Sequence, residues 1–457
     1  MSLFRDAFAI QRGFYEGGKL RGANNDFSNA GGSFEDTASP DRAVMTQRAR
    51  WLHENNGIIS GIDHSIKVNT LGAHGLRFQS KTGIDYIDKA IEVHYQEWCE
   101  PKNCDITRRQ HNGDQQKLIL GQRMCDGEIL IQKKLTNDKR HPLKLQMFET
   151  DRFDTMPFNS AAEVVDGIEV DAYGAPQKYR LRDGLFSTKK VDASDVIHYY
   201  KMANRYTQYR GISEYKQVII DLRNLAGFNS SFIQAIRSRS GVAMVIETDN
   251  VSGRVGALSK SETTYDPIYD INGVMVHYLN KGEKLSSLDQ SINGTEYGEF
   301  MRTAIRMIAV GRKVSYELAF RDYSQVNFSS GRLGRMEDHR LFSEEQWHMA
   351  TYVLNPLYEA WLDANVMAGN IKGLSPDAYF ADKKKFVQPR WIAPAREWID
   401  PLKDIKAFIE EYNLGGANLG DYVASKGKDL EEVLEQRKKE NEMLKAAGIL
   451  TEEEANA

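Results

Sequence analysis

Residues 293–368 read NGTEYGEFMRTAIRMIAVG (293–311), RKVSYELAFRDYSQVNFSSGRLG (312–334) and RMEDHRLFSEEQWHMATYVLNPLYEAWLDANVMA (335–368). In the first part Tyr297, Phe300, Met301, Ala304, Ile305 and Ile308 recur at the i, i+3, i+4, i+7 spacing of one helical stripe. From Tyr316 to Gly334 no apolar period survives, and the mixture of Ser, Gly, Asn, Arg and aromatics predicts a long loop. Met336 to Ala368 then resumes as a helix of about 30 residues. The pattern is helix, long polar loop, long helix, and a loop held between two rods is where function usually resides.

Composition limits what such a loop can serve. The 457 residues have room for two to four domains, and a hydrophobic content of 41% supplies sizeable cores. Lys plus Arg number 60 against 64 Asp plus Glu, a net charge of -4. A protein that grips DNA through many phosphates needs a cation for each, so tight DNA binding by the whole body is excluded. Cys99, Cys104 and Cys125 have no CxxC spacing and are odd in number, which points to a reducing compartment. His94 and His111 lie near them, but buried isolated thiols are a plainer reading than zinc. No run is apolar enough to cross a membrane and the first residues lack signal-peptide character, so a soluble protein that stays where it is made is expected.

Upstream, residues 1–38 are polar and Gly/Asn/Ser-rich and predict a mobile arm. Ser39-Pro40 is a start signal for a helix through Glu54. Three further helices follow: one built on Ile58, Ile59, Ile62 and Ile66, one on Ile87, Ile91, Tyr95 and Trp98, and one from Asp114 to Met124. The period then changes, and 128–133, 143–148, 167–170, 178–181 and 196–200 read as short strands between Asp-Gly and Tyr-Gly turns. Helices first and a mostly antiparallel sheet afterwards make an α+β region.

Ser213 to Ser238 reads as a single rod of roughly 39 Å whose apolar stripe must be covered by the 295–311 helix and by identical helices of neighbouring chains. Residues 241–291 form a β-containing excursion between these rods, with strand-like pieces at 242–247 and 273–279. Prolines at 376, 389, 394 and 401, with Trp391 and Trp398, mark a boundary before a helical C-terminal region. In its last helix Glu435 and Lys439 stand at i, i+4.

Two clusters invite a catalytic reading. Glu149, Asp151 and Asp154 could converge on a hard cation, as in a metal-dependent DNA-processing enzyme, though a solvated acidic turn is the plainer account. Asp195 and His198 lack an accompanying nucleophile motif. No catalytic site, metal or cofactor is therefore expected.

Several strings in order resemble the lambda-like family of bacteriophage portal proteins: VDGIEVDAYGAPQKYRL (165–181), DASDVIHYY (192–200), YRGISEY (209–215), YELAFRDYSQVNFSSGR (316–332) and WIDPLKDIKA (398–407). The resemblance spans roughly 40–445. It departs at Lys313-Val314-Ser315, where the family commonly has a Gly-Val-Pro turn. What it implies is a portal fold assembled as a ring, usually of twelve subunits, at one capsid vertex. On that pattern 1–38 is an arm, 39–212 an α+β wing, and 213–240 and 293–317 the two stem helices. Residues 241–292 form the clip, 318–334 the tunnel loop, 335–375 a long wing helix and 376–457 a helical crown. The implied partners are further copies of the chain, double-stranded DNA, the large terminase subunit, major capsid protein and scaffold, and a head-tail adaptor, without membrane. The implied location is the virion, after assembly in the host cytoplasm; another ring component of the neck or baseplate is the alternative.

Twelve helices spaced by about 10 Å would stand on a circle roughly 38 Å across and leave roughly 28 Å clear, so a loop must narrow the passage if DNA is to be retained. Twelve copies at -4 would carry about -48, which lets DNA slide. Basic residues are local instead. Arg302 and Arg306 on the second rod, with Arg321, Tyr323, Asn327, Phe328, Arg332 and Arg335 in and after the loop, are the expected channel-facing residues, contacting phosphates without reading bases.

Overall fold

The computed structural model describes residues 32–155, 163–184, 187–202, 205–241, 245–248, 277–280, 294–324, 327–395 and 401–446. The first helix, α1 (Phe34–Asn55), begins ahead of the Ser39-Pro40 signal. Ser33 and Asp36 form a capping box that satisfies two otherwise orphaned N–H groups. Glu35 accepts from the N–H groups of Tyr209 and Arg210 and pairs with Arg42, so the first turn is held down although Pro40 lies inside the helix. The arm expected over 1–38 therefore gives way to ordered chain by residue 32; residues 1–31 lie outside the described residues.

Next come α2 (Gly57–Leu71), β1 (Arg77–Ser80), α3 (Asp85–Trp98), the short α4 (Pro101–Cys104) and α5 (Asn112–Asp126). β2 (Glu128–Leu135) is the centre of an antiparallel sheet, flanked by β3 (Leu143–Phe148) and β8 (Val196–Tyr200). A second antiparallel sheet, a meander, holds β4 (Glu163–Val165), β5 (Ile168–Val170), β6 (Pro176–Arg182) and β7 (Thr188–Asp192). It closes a small core around Phe153, Tyr179 and Leu181. The mixed helix-and-sheet architecture is the one expected, with β1, β4, β7 and a strand at Pro389–Ile392 as strands the sequence pattern missed.

The two rods are α6 (Ile219–Gly241) and α7 (Gly294–Gly311). They run antiparallel: Phe232 stacks on Tyr297 at 4.1 Å between ring centroids, Phe228 meets Phe300 at 4.0 Å, and Gly311 lies against Val218. Tyr297 also donates to Asn229 Oδ1 at 3.0 Å. At the base Tyr215, Val218, Leu222, Leu225, Ile305 and Ile308 are buried in the main core. Further out the stripe is uncovered, with Ile233 and Ile236 each 48% exposed. The excursion between the rods contributes β9 (Val245–Thr248) and β10 (His277–Asn280), paired in parallel; the expectations for 249–276 and 281–293 fall outside the described residues.

The expected long loop is mostly helix. α8 (Tyr316–Phe320) opens it and α9 (Phe328–Met349) closes it, so among the described residues only 321–324 and 327 lie outside helix. Asn327 and Ser330 form a capping box, a start signal hidden in a run of polar residues with two helix-weakening glycines. After α9 a wide turn over Ala350–Leu354 leads into α10 (Asn355–Met367). Pro356 accounts for that turn, because its ring would strike the carbonyl one regular turn earlier.

Past 376, where a boundary was expected, the chain still packs on the main core. α11 (Pro376–Ala381), α12 (Lys383–Phe386) and β11 (Pro389–Ile392) belong to the main body, with Tyr379 and Phe386 in its core, and β11 pairs antiparallel with β1. Trp391 donates to Asn355 Oδ1 at 2.8 Å and packs on Phe78; Trp398 lies outside the described residues. The remaining helices are α13 (Pro401–Asn413), α14 (Leu419–Ser425) and α15 (Leu430–Ala446). α15 is tied to the body through Lys81–Glu431 at 3.0 Å, Arg77–Glu432 at 3.2 Å and Lys89–Glu435 at 2.8 Å. Glu435 thus reaches across to Lys89 on α3, whereas the i, i+4 spacing had suggested Lys439 on its own helix.

A methyl at Gly311 would stand 2.4 Å from Val218 Cγ1, whereas one at Gly298 meets nothing within 4 Å. Gly311→Ala is expected to lower stability by about 1–3 kcal/mol through overpacking. Gly298→Ala should raise it by about 0.5–1 kcal/mol by removing helix-interior glycine. Thermal denaturation of both variants checks the two signs.

Candidate nucleic-acid interface

The base of α7 ends in Arg312, which is buried where several segments of chain meet. Its guanidinium donates to Asp63 Oδ1 on α2 at 2.8 Å and to Glu214 Oε2 at 3.0 Å. Glu214 also receives Arg123 of α5, and Arg123 donates to Glu345 of α9 at 2.8 Å. Lys201 completes the chain on Glu344 and Glu345. Tyr215 Oη and His53 Nδ1 close on Asp63. Burial alone would raise the Glu214 carboxyl, but Arg123 and Arg312 outweigh it and hold it well below the usual carboxylate range. Burial and the Asp63 charge push the Tyr215 phenol far up. The sequence pattern did not single out Arg312; an arginine closing the apolar run IAVG was the available signal.

A second buried cluster sits four residues upstream of Glu214. Arg210 donates from Nε to Glu128 Oε1 at 2.8 Å and lies over the Phe153 ring, while Gly211 N–H donates to Glu128 Oε2 at 2.7 Å. Gly127, at φ 98, and Gly211 let the two chain segments touch: a Cβ on Gly211 would lie 2.2 Å from the Gly127 carbonyl oxygen. His198 Nε2 completes this cluster on Glu128 Oε2 at 2.9 Å, so it is part of a buried structural hydrogen-bond network.

From Arg312 the chain turns into the loop. Lys313 takes a left-handed conformation, φ 58, where glycine would be unstrained. Ser315 caps α8 by accepting from Leu318 N–H, and its own N–H and hydroxyl both donate to Asp338 of α9, at 2.8 and 2.6 Å. A proline at 315 would lack the first of these donors. The Lys-Val-Ser turn is thus clamped to the long helix by a buried carboxylate.

The expected channel residues divide into two groups. Tyr323, Asn327, Arg332 and Arg335 line one open groove of about 510 Å³ between the loop and α9. Arg332 and Arg335 are exposed, Tyr323 is 65% exposed, and Asn327 doubles as the α9 cap. Arg302 and Arg306 are exposed on α7 near Tyr316 and Asp322, with Arg306 over the Tyr316 ring at 5.3 Å. Arg321, at φ 56, donates to Ser65 Oγ at 3.3 Å on α2, away from that groove's lining. The Phe328 side chain lies outside the described residues.

The competing metal reading does not assemble. Arg50 donates to Asp151 at 2.5 Å and lies 3.7 Å from Glu149, while Asp154 receives the Thr188 hydroxyl. Among the described residues no cluster of His, Cys, Asp and Glu could hold a metal ion. Cys104 donates to the Cys99 carbonyl, and burial pushes both its thiol and that of Cys125 up to about 12. No helix among the described residues is long and apolar enough to cross a membrane.

Residues 21–346 match the family model described as phage portal protein, lambda family. The chain belongs to this family. It is 23% identical over 443 residues to the probable portal protein of Halomonas phage phiHAP-1, an alignment covering 92% of this chain and 84% of that one. It is 25% identical over 182 residues to portal protein B of Escherichia phage lambda, which covers 39% of this chain and 34% of that protein. Among solved structures, a chain from the neck of an empty GTA particle, computed with C6 symmetry, aligns over 85% of this chain and 94% of its own, with 12% identity and a TM-score of 0.44. The portal role expected from the strings at 165–181, 192–200, 209–215 and 316–332 stands on the family match.

Removing Arg312 from its pocket strands two carboxylates. Arg312→Met is expected to cost about 3–5 kcal/mol in urea denaturation, since breaking a buried pair leaves an uncompensated charge. The pH dependence follows from Glu214, whose folded pKa is depressed relative to about 4.3 in the unfolded chain. Its contribution is complete above about pH 4.3 and is lost as the pH falls from there through the folded value. In Glu214→Gln the fall in melting temperature below about pH 4.3 should be shallower, as measured by thermal scans at a series of pH values.

Proposed function

We propose that copies of this chain close into a ring, of twelve subunits in the expected form, at a single capsid vertex, and that double-stranded DNA enters and leaves through its bore. The observation that carries this reading is the family match over residues 21–346. The α6–α7 hairpin supports it, because Ile233, Ile236, Phe300 and Met307 are left exposed in the single chain and need covering by neighbours. In this reading the hairpin is the stem, the α+β body the wing, and 321–327 with its flanking turns the constriction. The arginines at 302, 306, 332 and 335, with Tyr323 and Asn327, face DNA and contact phosphates only. The net charge of -4 per chain keeps the rest of the passage non-adhesive.

The ring would take the large terminase subunit during packaging, the head-tail adaptor afterwards, and capsid protein and scaffold around its rim. It would assemble in the host cytoplasm and remain in the virion, as a structural part without catalysis. The nuclease reading is disfavoured by the engagement of Glu149 and Asp151 with Arg50.

Electron micrographs of the purified full-length protein should show closed rings; a protein monomeric at every concentration contradicts the proposal. Arg332→Glu combined with Arg335→Glu should leave rings intact and lower packaged-DNA retention by at least about tenfold, because two phosphate contacts become repulsions. Unchanged retention and infectivity would remove these residues from the passage.

A further inference from the structure

At the joint between hairpin and body lies a recess of about 170 Å³, lined by Arg123, Lys201, Lys216, Arg312 and Lys313 together with Glu214 and Glu345. Five cations thus share the lining with two carboxylates, while Arg312 also pairs with Asp63 and Lys201 with Glu344 outside it. The carboxylate oxygens are already engaged: Glu214 receives Arg123 and Arg312 on separate oxygens, and Glu345 receives Arg123 and Lys201. Arg123 and Arg312 are only 1% and 4% exposed, yet each keeps an Nε–H without a hydrogen-bond partner. Buried donors of this kind are normally satisfied, and their orphaning calls for a ligand or water.

One further feature increases the positive character of the recess. Lys313 occupies a left-handed backbone conformation that a long side chain rarely adopts, and so places an ammonium where glycine would place nothing. Backbone strain is maintained where the surrounding structure or a ligand gains from it.

We propose that this recess binds a small tetrahedral oxyanion of the inorganic phosphate type. At about 30 Å³ per water in the liquid, the space of about 170 Å³ holds roughly five to six waters, enough for one such anion with residual solvent and too little for a duplex. The anion bridges Arg312 and Lys313 at the foot of α7, with Lys216 just ahead of α6, to Arg123 on α5 and Lys201 beyond β8, and so tightens the hairpin against the body. The inference is independent of the channel reading, because it concerns the joint and uses none of the residues assigned to DNA.

The test is thermal denaturation and isothermal titration of the full-length protein with sodium phosphate, against sodium chloride at equal ionic strength. Wild type is expected to bind one phosphate per subunit and to gain about 2 °C at roughly ten times Kd. Lys216→Gln and Lys313→Gly should both lose the phosphate-specific gain, and Lys313→Gly should melt higher than wild type in chloride because glycine relieves the left-handed strain. A duplex of about 20 base pairs should not displace the phosphate. The proposal is overturned by no gain beyond chloride, by an equal gain in wild type and both variants (an adventitious ion only), or by displacement with the duplex.

Discussion

The arginine at 312 sits where the hairpin meets the body, and the rest of the molecule depends on how its charge is met. Asp63 comes from the first half of the body, Glu214 from the segment entering α6, and Arg123 and Glu345 extend the chain of pairs to α5 and α9. A charge buried in this way is tolerated only against opposite charges, so these segments must arrive together. The network specifies one orientation of the hairpin more than it adds net stability. That is the property a long projecting element requires if its far end is to occupy a defined place.

One short string links this joint to the sheet. Within YRGISEY (209–215), Arg210 and Gly211 engage Glu128 at the start of β2, and Glu214 and Tyr215 engage Arg312, Arg123 and Asp63. The close approach of Gly211 to Gly127 leaves no room for a side chain at either position. The string therefore carries two buried clusters four residues apart, which gives a physical reason for it to be among the most recognisable in the chain.

Much of the fold could be read in advance because it is local. The strands at 143–148 and 196–200 and the helix at 57–71 follow from alternation or 3.6-residue spacing, with Asn56 and Gly72 as stops. What failed was non-local or hidden by composition. The α9 start looked like loop because Asn327 and Ser330 are turn residues as readily as cap residues. The early start of α1 depends on Glu35 reaching Tyr209 and Arg210, 174 and 175 positions away. The packing of the chain past 376 on the body rests on β11 pairing with β1, which no local pattern announces. Of the loop residues, Tyr323, Asn327, Arg332 and Arg335 do gather on one groove, whereas Arg321 is turned to Ser65 by a left-handed backbone that the sequence did not signal.

The central claim is that the buried joint makes the foot of the hairpin part of the body, while its outer half takes its stability from elsewhere. Native-state hydrogen exchange of the unassembled protein measures this directly. Amides at the foot, in 219–225 and 305–312, should exchange with the same opening free energy as β2 and α5, and those in 228–236 and 297–303 at a much lower one. Equal, low protection along the entire hairpin would contradict the claim, because the joint would then be opening independently of the body.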